Sequence, residues 1–208
     1  GYVEITGSSG MGKSTVAKFI ASYLFCSKVP VVIFDFHDDL AISGIRTLHL
    51  GDGASGECSI RFLEPTPLAL EVFGLRGCLE NAVRAIEATG RRKLGDGQIN
   101  VLRSAIMELW RRLGITESAS DSPAAAAKSI RPSDLRDLLL EKKDEAESSR
   151  ERQIFDGLIN RVDVLAACAI FEHESPLRVD DLLQNGARLH MQGIPASMRG
   201  WVARTLVN

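Results

Sequence analysis

Gly7-Ser8-Ser9-Gly10-Met11-Gly12-Lys13-Ser14 decides the fold, because it satisfies every fixed position of G-x-x-x-x-G-K-[ST]. The glycines let the backbone turn so that successive N–H groups point inward at an anion. The helix that follows offers free N–H donors and a partial positive charge at its N-terminus. In such a loop Lys13 is placed to reach the β- and γ-phosphates of a nucleotide, Ser14 to hold Mg²⁺, and Thr15 continues the binding stretch. A glycine-rich turn can match the pattern by chance, but the flanks argue otherwise. Val3 and Ile5 sit in a short strand that runs into the loop. Val16, Phe19, Ile20, Tyr23 and Leu24 follow it at the spacing of an amphipathic helix.

Outward from the loop, Val31-Val32-Ile33-Phe34 is a continuous apolar run bounded by Pro30 and Asp35, which suits a parallel strand covered on both faces. Strand, loop, helix and strand within about 36 residues make a βαβ unit. Residues 47–50 and 58–63 read as two short strands joined by the turn-rich stretch Gly51–Glu57. The pattern then becomes helical as far as Gly186. Leu79, Ala82, Val83 and Ile86 form one stripe, and Ile99, Leu102, Ile106, Leu109, Trp110 and Leu113 another. Leu135, Leu138 and Leu139 follow Ser133 in a third helix. Ile154, Phe155, Leu158, Ile159, Val162, Leu165 and Ala169 mark a long fourth, and a short one spans Val179–Gln184.

Glu117–Lys128 reads as a Ser- and Ala-rich loop, and Glu141–Arg152, with both charge signs, as exposed helix. Strand-like sequence returns at Ala187–Gln192. A last helix follows Pro195, with Met198, Trp201, Val202 and Thr205 on one face. The expected architecture is α/β: a parallel-sheet core of the P-loop NTPase (RecA-like) kind with an inserted all-α subdomain. Residues 1–65 form the first half of the core, 66–186 the insertion and 187–208 the return to the core. The start at Gly1, without Met and almost directly on a strand, reads as a piece cut from a longer protein.

Composition sets bounds on function. Hydrophobic residues are 45% and charged residues 25% of the 208, ordinary for a globular protein. A formal net charge of -2 gives no global field that draws the chain to nucleic acid or anionic membrane, so such binding would need a local patch or other subunits. Arg91-Arg92-Lys93, in a Gly-flanked loop, is either a contact for DNA or a solvated loop. Cys26, Cys58, Cys78 and Cys168 make no C-x-x-C pair, which suits free thiols in a reducing cytosol. No apolar run approaches the ~18 residues needed to cross a bilayer, and the expected location is cytoplasmic, peripheral to the inner membrane if partners bring it there.

Asp35, His37, Asp38 and Asp39 stand where the second strand ends, the side that faces the phosphates in doubly wound sheets. One reading puts Asp35 in the Mg²⁺ or water network, as a catalytic and metal-site residue beside Lys13 and Ser14. The other makes these residues strand-end groups that satisfy backbone donors, with His37 half exposed. His49, His173 and His190 form no spacing that suggests a metal site.

Several stretches together resemble the HerA/FtsK superfamily, in particular its HerA-like and conjugative coupling protein (TraD/TrwB-like) branches. Val31–Asp39 is similar to the family's strand ending in Asp-Pro-His-Gly-Glu. Ile99–Gly114 resembles a helix of its insertion, Arg131–Leu140 its Pro-x-x-Leu-x-x-Leu-Leu run, and Leu189–Leu206 the strand and helix before its Walker B strand. Phe36 and Asp38 replace the usual Pro and Gly, and Gln192 stands where an Asp is common. No apolar strand ending in Asp-Glu follows before Asn208, so the chain reads as truncated before Walker B.

The resemblance implies the ATP-binding part of a hexameric motor ATPase that pumps DNA or drives conjugative or type IV secretion transfer. ATP and Mg²⁺ are the implied cofactors. The implied partners are copies of the chain in a homo-hexamer, DNA and secretion-system components. A truncated piece would bind ATP and turn over little. The rival is a small-molecule kinase with Asp35 holding Mg²⁺ or accepting the substrate proton, although no compact arginine-rich lid is visible and the insertion is large. A third reading is a regulatory nucleotide-binding module without turnover.

Overall fold

The computed structural model describes residues 10–50, 59–65, 67–90, 92–115, 130–172, 177, 179–191, 194 and 198–202. The elements are α1 (Lys13–Cys26), β1 (Val32–Asp35), β2 (Thr47–His49), α2 (Pro67–Glu87), α3 (Asp96–Arg112), α4 (Pro132–Glu145), α5 (Ser149–Ala166), α6 (Ala169–Glu172), α7 (Val179–Asn185) and β3 (Ala187–His190). The strand expected around Val3 and Ile5 lies outside the described residues.

The described strands form one parallel sheet in the order β1-β3-β2. All four residues of β3 are buried, as a central parallel strand covered on both faces requires. Pairing Val32 with Ala187 and Thr47 with Arg188 brings Asp35, His49 and His190 to one level at the carboxyl ends of the strands. Gly186 makes the entry to β3 possible. Its φ is 67°, and a Cβ there would lie 2.6 Å from the Val31 carbonyl oxygen, so β1 and the chain leaving α7 approach too closely for a side chain.

Of the strand expected at 58–63, residue 58 lies outside the described residues and residues 59–63 do not form it. Ser59 makes only an isolated bridge, and Ile60 N–H donates to the Ile170 carbonyl at 2.8 Å. Buried Ile60 and Leu63 anchor this segment by their side chains. The charged stretch Glu141–Arg152 also differs from expectation, because it is broken in two. Ala146 is extended (ψ 127°) and Ser148 restarts the helix, its hydroxyl accepting from Glu151 N–H at 3.1 Å while Glu151 accepts from Ser148 N–H at 3.2 Å. The stripe from Leu79 to Ile86 extends back to Pro67 through a break at Gly74, whose φ is 64°.

Helices α2 to α7 share one apolar core with the sheet. Leu102, Ile106, Leu135, Leu139, Leu158 and Leu165 belong to the same buried cluster as Leu189 and Met191. Helical residues 198–202 join it through Trp201, which stacks edge-on with Phe62 and Phe171 at centroid distances of 5.2 Å and donates Nε1–H to the Ala85 carbonyl at 2.7 Å. Such an aromatic contact adds about 0.5–1.5 kcal/mol beyond area burial. The tail is thereby held to α2 and α6. Among the described cysteines Cys26 is exposed, Cys78 buried and Cys168 between, all free thiols.

Candidate phosphate-binding site

Of the loop, Gly7, Ser8 and Ser9 lie outside the described residues; Gly10 to Thr15 are described. Gly10 and Gly12 have φ of 82° and 78°, the left-handed region, with nothing within 4 Å of a Cβ at either. Their requirement is backbone conformation rather than space. Gly12 is the N-cap of α1 and has no side chain to cap it, and no acidic residue sits in the first turn. A helix end of this kind can take an outside anion. Lys13 and Ser14 are its first residues.

Ser14 Oγ donates a 2.7 Å hydrogen bond to Asp39 Oδ2, joining the helix N-terminus to the loop that leaves β1. Asp35 builds that loop. Fully buried, its Oδ1 accepts from the backbone N–H of His37 (3.2 Å) and Asp39 (3.3 Å). Its Oδ2 accepts from Leu40 N–H (2.9 Å) and Arg188 Nε–H (2.8 Å), and Arg188 Nη2 lies 2.7 Å away as an ion pair. Burial pushes this carboxyl upward, but the bonds from Leu40, Arg188, His37 and Asp39 outweigh it and hold the pKa at about 2. The carboxylate is therefore committed to four hydrogen-bond donors and the Arg188 charge.

Arg188, on central β3, also pairs with Asp38, and the two carboxylates keep its guanidinium charged despite burial. Asp38 has a φ of 60°. It stands where the resembled strand end has Gly, and Asp is among the few residues that tolerate this conformation. His190 and His49 meet edge-on, Nδ1 to Nδ1 at 3.1 Å, behind the loop, with His190 Nε2 3.6 Å from Asp38 Oδ1. His37 is exposed.

The donors suit a nucleotide-bound Mg²⁺. A hydroxyl and a carboxylate are hard oxygen ligands, and this ion takes one or two protein groups while phosphates and waters complete its shell. Among the described residues, no group of three His, Cys, Asp or Glu could hold a metal ion.

The sequence reading named Lys13, Ser14 and Asp35; it missed Asp39's contact with Ser14, and Arg188. Asp39 was visible as the acidic residue matching the last position of Asp-Pro-His-Gly-Glu. Arg188, 153 residues from Asp35, had no local signal. Of the basic triplet, Arg91 lies outside the described residues. The Arg92 carbonyl accepts from Arg161, and Arg92 and Lys93 line a recess with Arg84, Glu87, Ala88 and Gly90. No helix among the described residues is long and apolar enough to cross a membrane.

A parallel sheet with an uncapped helix end and a strand-end carboxylate at its carboxyl edge defines a P-loop type of α/β protein. The family described as the central domain of the helicase HerA matches residues 3–188, and the chain belongs to that family, within the HerA/FtsK superfamily of P-loop ATPases. Among solved structures, VirB4 of Thermoanaerobacter pseudethanolicus is similar in fold, with a TM-score of 0.71 at 15% identity over 97% of this chain. The chain spans 53% of the length of that VirB4 chain. No curated protein matches the sequence.

Proposed function

We infer that the chain is the ATP-binding part of a motor ATPase of the HerA/FtsK kind, working as a homo-hexamer in DNA translocation or in conjugative or type IV secretion transfer. The observation that carries the reading is the uncapped start of α1 at Gly12–Ser14, linked through Ser14 to the strand-end loop at the carboxyl edge of the sheet. Membership of the HerA family and the VirB4-like fold support it. In this reading residues 66–186 are a helical insertion in the core, and the protein works in the cytoplasm.

Gly7 to Thr15 wrap the phosphates, Lys13 neutralises the β- and γ-phosphates, and Ser14 is a metal ligand. Asp35 acts through the loop it organises. When bound, Mg²⁺ would neutralise charge on the phosphate oxygens; the chain's own residues contribute positioning and electrostatic stabilisation. The kinase alternative needs Asp35 free to hold Mg²⁺ or to accept the substrate proton, and no observation favours it over the motor reading.

The test is calorimetry with Mg·ATP on wild type and Lys13→Ala. A hydrogen bond to a charged group contributes about 1.5–3 kcal/mol, so affinity should fall about ten- to hundredfold with the fold intact. Unchanged affinity would sink the reading.

A further inference from the structure

We propose that Asp39, rather than the strand-end Asp35, is the carboxylate that serves the metal shell of the phosphate site, working with Ser14. This rests on the nucleotide reading above and deepens it.

The two aspartates are four residues apart and differ in what their oxygens do. Both oxygens of Asp35 are taken by backbone N–H groups and the Arg188 guanidinium, and its charge is cancelled inside the protein. Asp39 is exposed. Its Oδ2 accepts only the Ser14 hydroxyl, and among the described residues Oδ1 accepts nothing and no cation pairs with it. A divalent cation needs uncompensated negative charge and hard oxygen, and Asp39 supplies both, whereas the oxygens and charge of Asp35 are already taken.

The geometry also fits a division of labour on Ser14. Its O–H proton is directed at Asp39 over 2.7 Å, which leaves the oxygen lone pairs turned away and available to a metal ligated beside the phosphates. Asp39 thus orients the hydroxyl with one oxygen and offers the other to a metal-bound water. Asp35 has the prior role. Its bonds to the N–H groups of His37, Asp39 and Leu40 fold the loop so that Asp39 reaches the start of α1.

Calorimetry of ATP binding in EDTA and in Mg²⁺, on wild type, Asp39→Asn and Asp39→Glu, tests this. The reading is the ratio of the two affinities, with thermal unfolding as the check on folding. Loss of a group that orients a metal ligand commonly costs about 10–100-fold in metal affinity. The Mg²⁺-linked gain should shrink on that scale in Asp39→Asn and recover in part in Asp39→Glu. The unfolding midpoint should stay within about a degree or two, because Asp39 is exposed. Mn²⁺ bound in the ATP complex, followed by its spin resonance, should weaken in parallel.

An unchanged ratio in Asp39→Asn overturns the proposal. So does a larger ratio, which would make the Ser14–Asp39 bond a latch that competes with metal. If wild type binds ATP in neither condition, the nucleotide reading itself fails, and that result is distinct from one confined to the Asp39 variants.

Discussion

Helices α1 and α5 look alike on paper and behave differently in the fold. Each has apolar residues at helical spacing. In α5, Leu158, Ile159, Val162 and Leu165 are buried, whereas α1 has no buried residue, with Phe19 73% and Tyr23 67% exposed. Periodicity reports that a segment is a helix with one apolar side; only tertiary packing decides whether that side is covered. Among the described contacts the start of α1 is tied to the sheet by the polar bond from Ser14 to Asp39, while α5 is locked into the shared core. The buried core thus lies with α5 and its neighbours, while α1, whose start faces Asp39, stays largely uncovered.

The sharpest way to break this contrast is to delete apolar bulk on each side. Leu158→Ala removes a fully buried side chain and should cost about 2–5 kcal/mol in urea unfolding. Phe19→Ala should cost less than about 0.5 kcal/mol, since its ring is mostly in water already. Comparable losses at the two positions would show that α1 is packed in solution as firmly as α5.

The polar counterpart of the core is the Asp35 cluster, and it sets a dependence on acid. Asp35 is held at about 2 in the fold against an ordinary value of 3.8. A depressed carboxyl stabilises the fold above its unfolded pKa, and that contribution is lost as pH falls through the folded value. Stability should therefore drop by about 2 kcal/mol between roughly pH 4 and pH 2 on account of this group alone. Asp35→Asn should be less stable near neutral pH, and its deficit against wild type should shrink across that window. A deficit that stays constant down to pH 2 would mean that Asp35 is ionised no more easily in the fold than in the unfolded chain.

What could be read from the sequence follows from how local each signal is. The start of α1 at Lys13, the apolar run of β1 and the buried β3 are written in consecutive residues. The break at Ser148 was equally local, Ser148 and Glu151 forming a capping pair, but the mixed charges around it read as one helix. The expected strand is missing at 59–63, where Ile60 and Leu63 are buried in the core and Ile60 N–H pairs with Ile170 of α6. At the site, the sequence placed the acidic residues at the strand end. It could not say that Asp35 would be spent on Arg188 across 153 residues while Asp39 reached Ser14, since both depend on how β3 inserts between β1 and β2.

A small stabilising effect lies at the far end of α1, where the chain turns off the helix. Ser27 N–H bonds the Tyr23 carbonyl, Lys28 N–H the Phe25 carbonyl and Val29 N–H the Leu24 carbonyl, each near 3.0 Å, so the last turn closes on itself. Closure requires a left-handed residue, and Lys28 supplies it with a φ of 61°. Lysine pays for that conformation with a crowded Cβ, whereas glycine does not. Lys28 is exposed and has no ion pair among the described residues, so Lys28→Gly sacrifices no contact. Stability should rise by about 0.5–1 kcal/mol in urea unfolding, after the greater freedom of glycine in the unfolded chain is set against the relieved strain. Fourteen residues of helix, about 20 Å, separate this turn from Ser14, so ATP affinity should not move. The same change at Asp38, also left-handed, should bring no such gain, because it removes the carboxylate that pairs with Arg188. A stabilised Asp38→Gly beside a neutral Lys28→Gly would reverse the contrast, placing the strain at the site end of the molecule rather than at the far end of its helix.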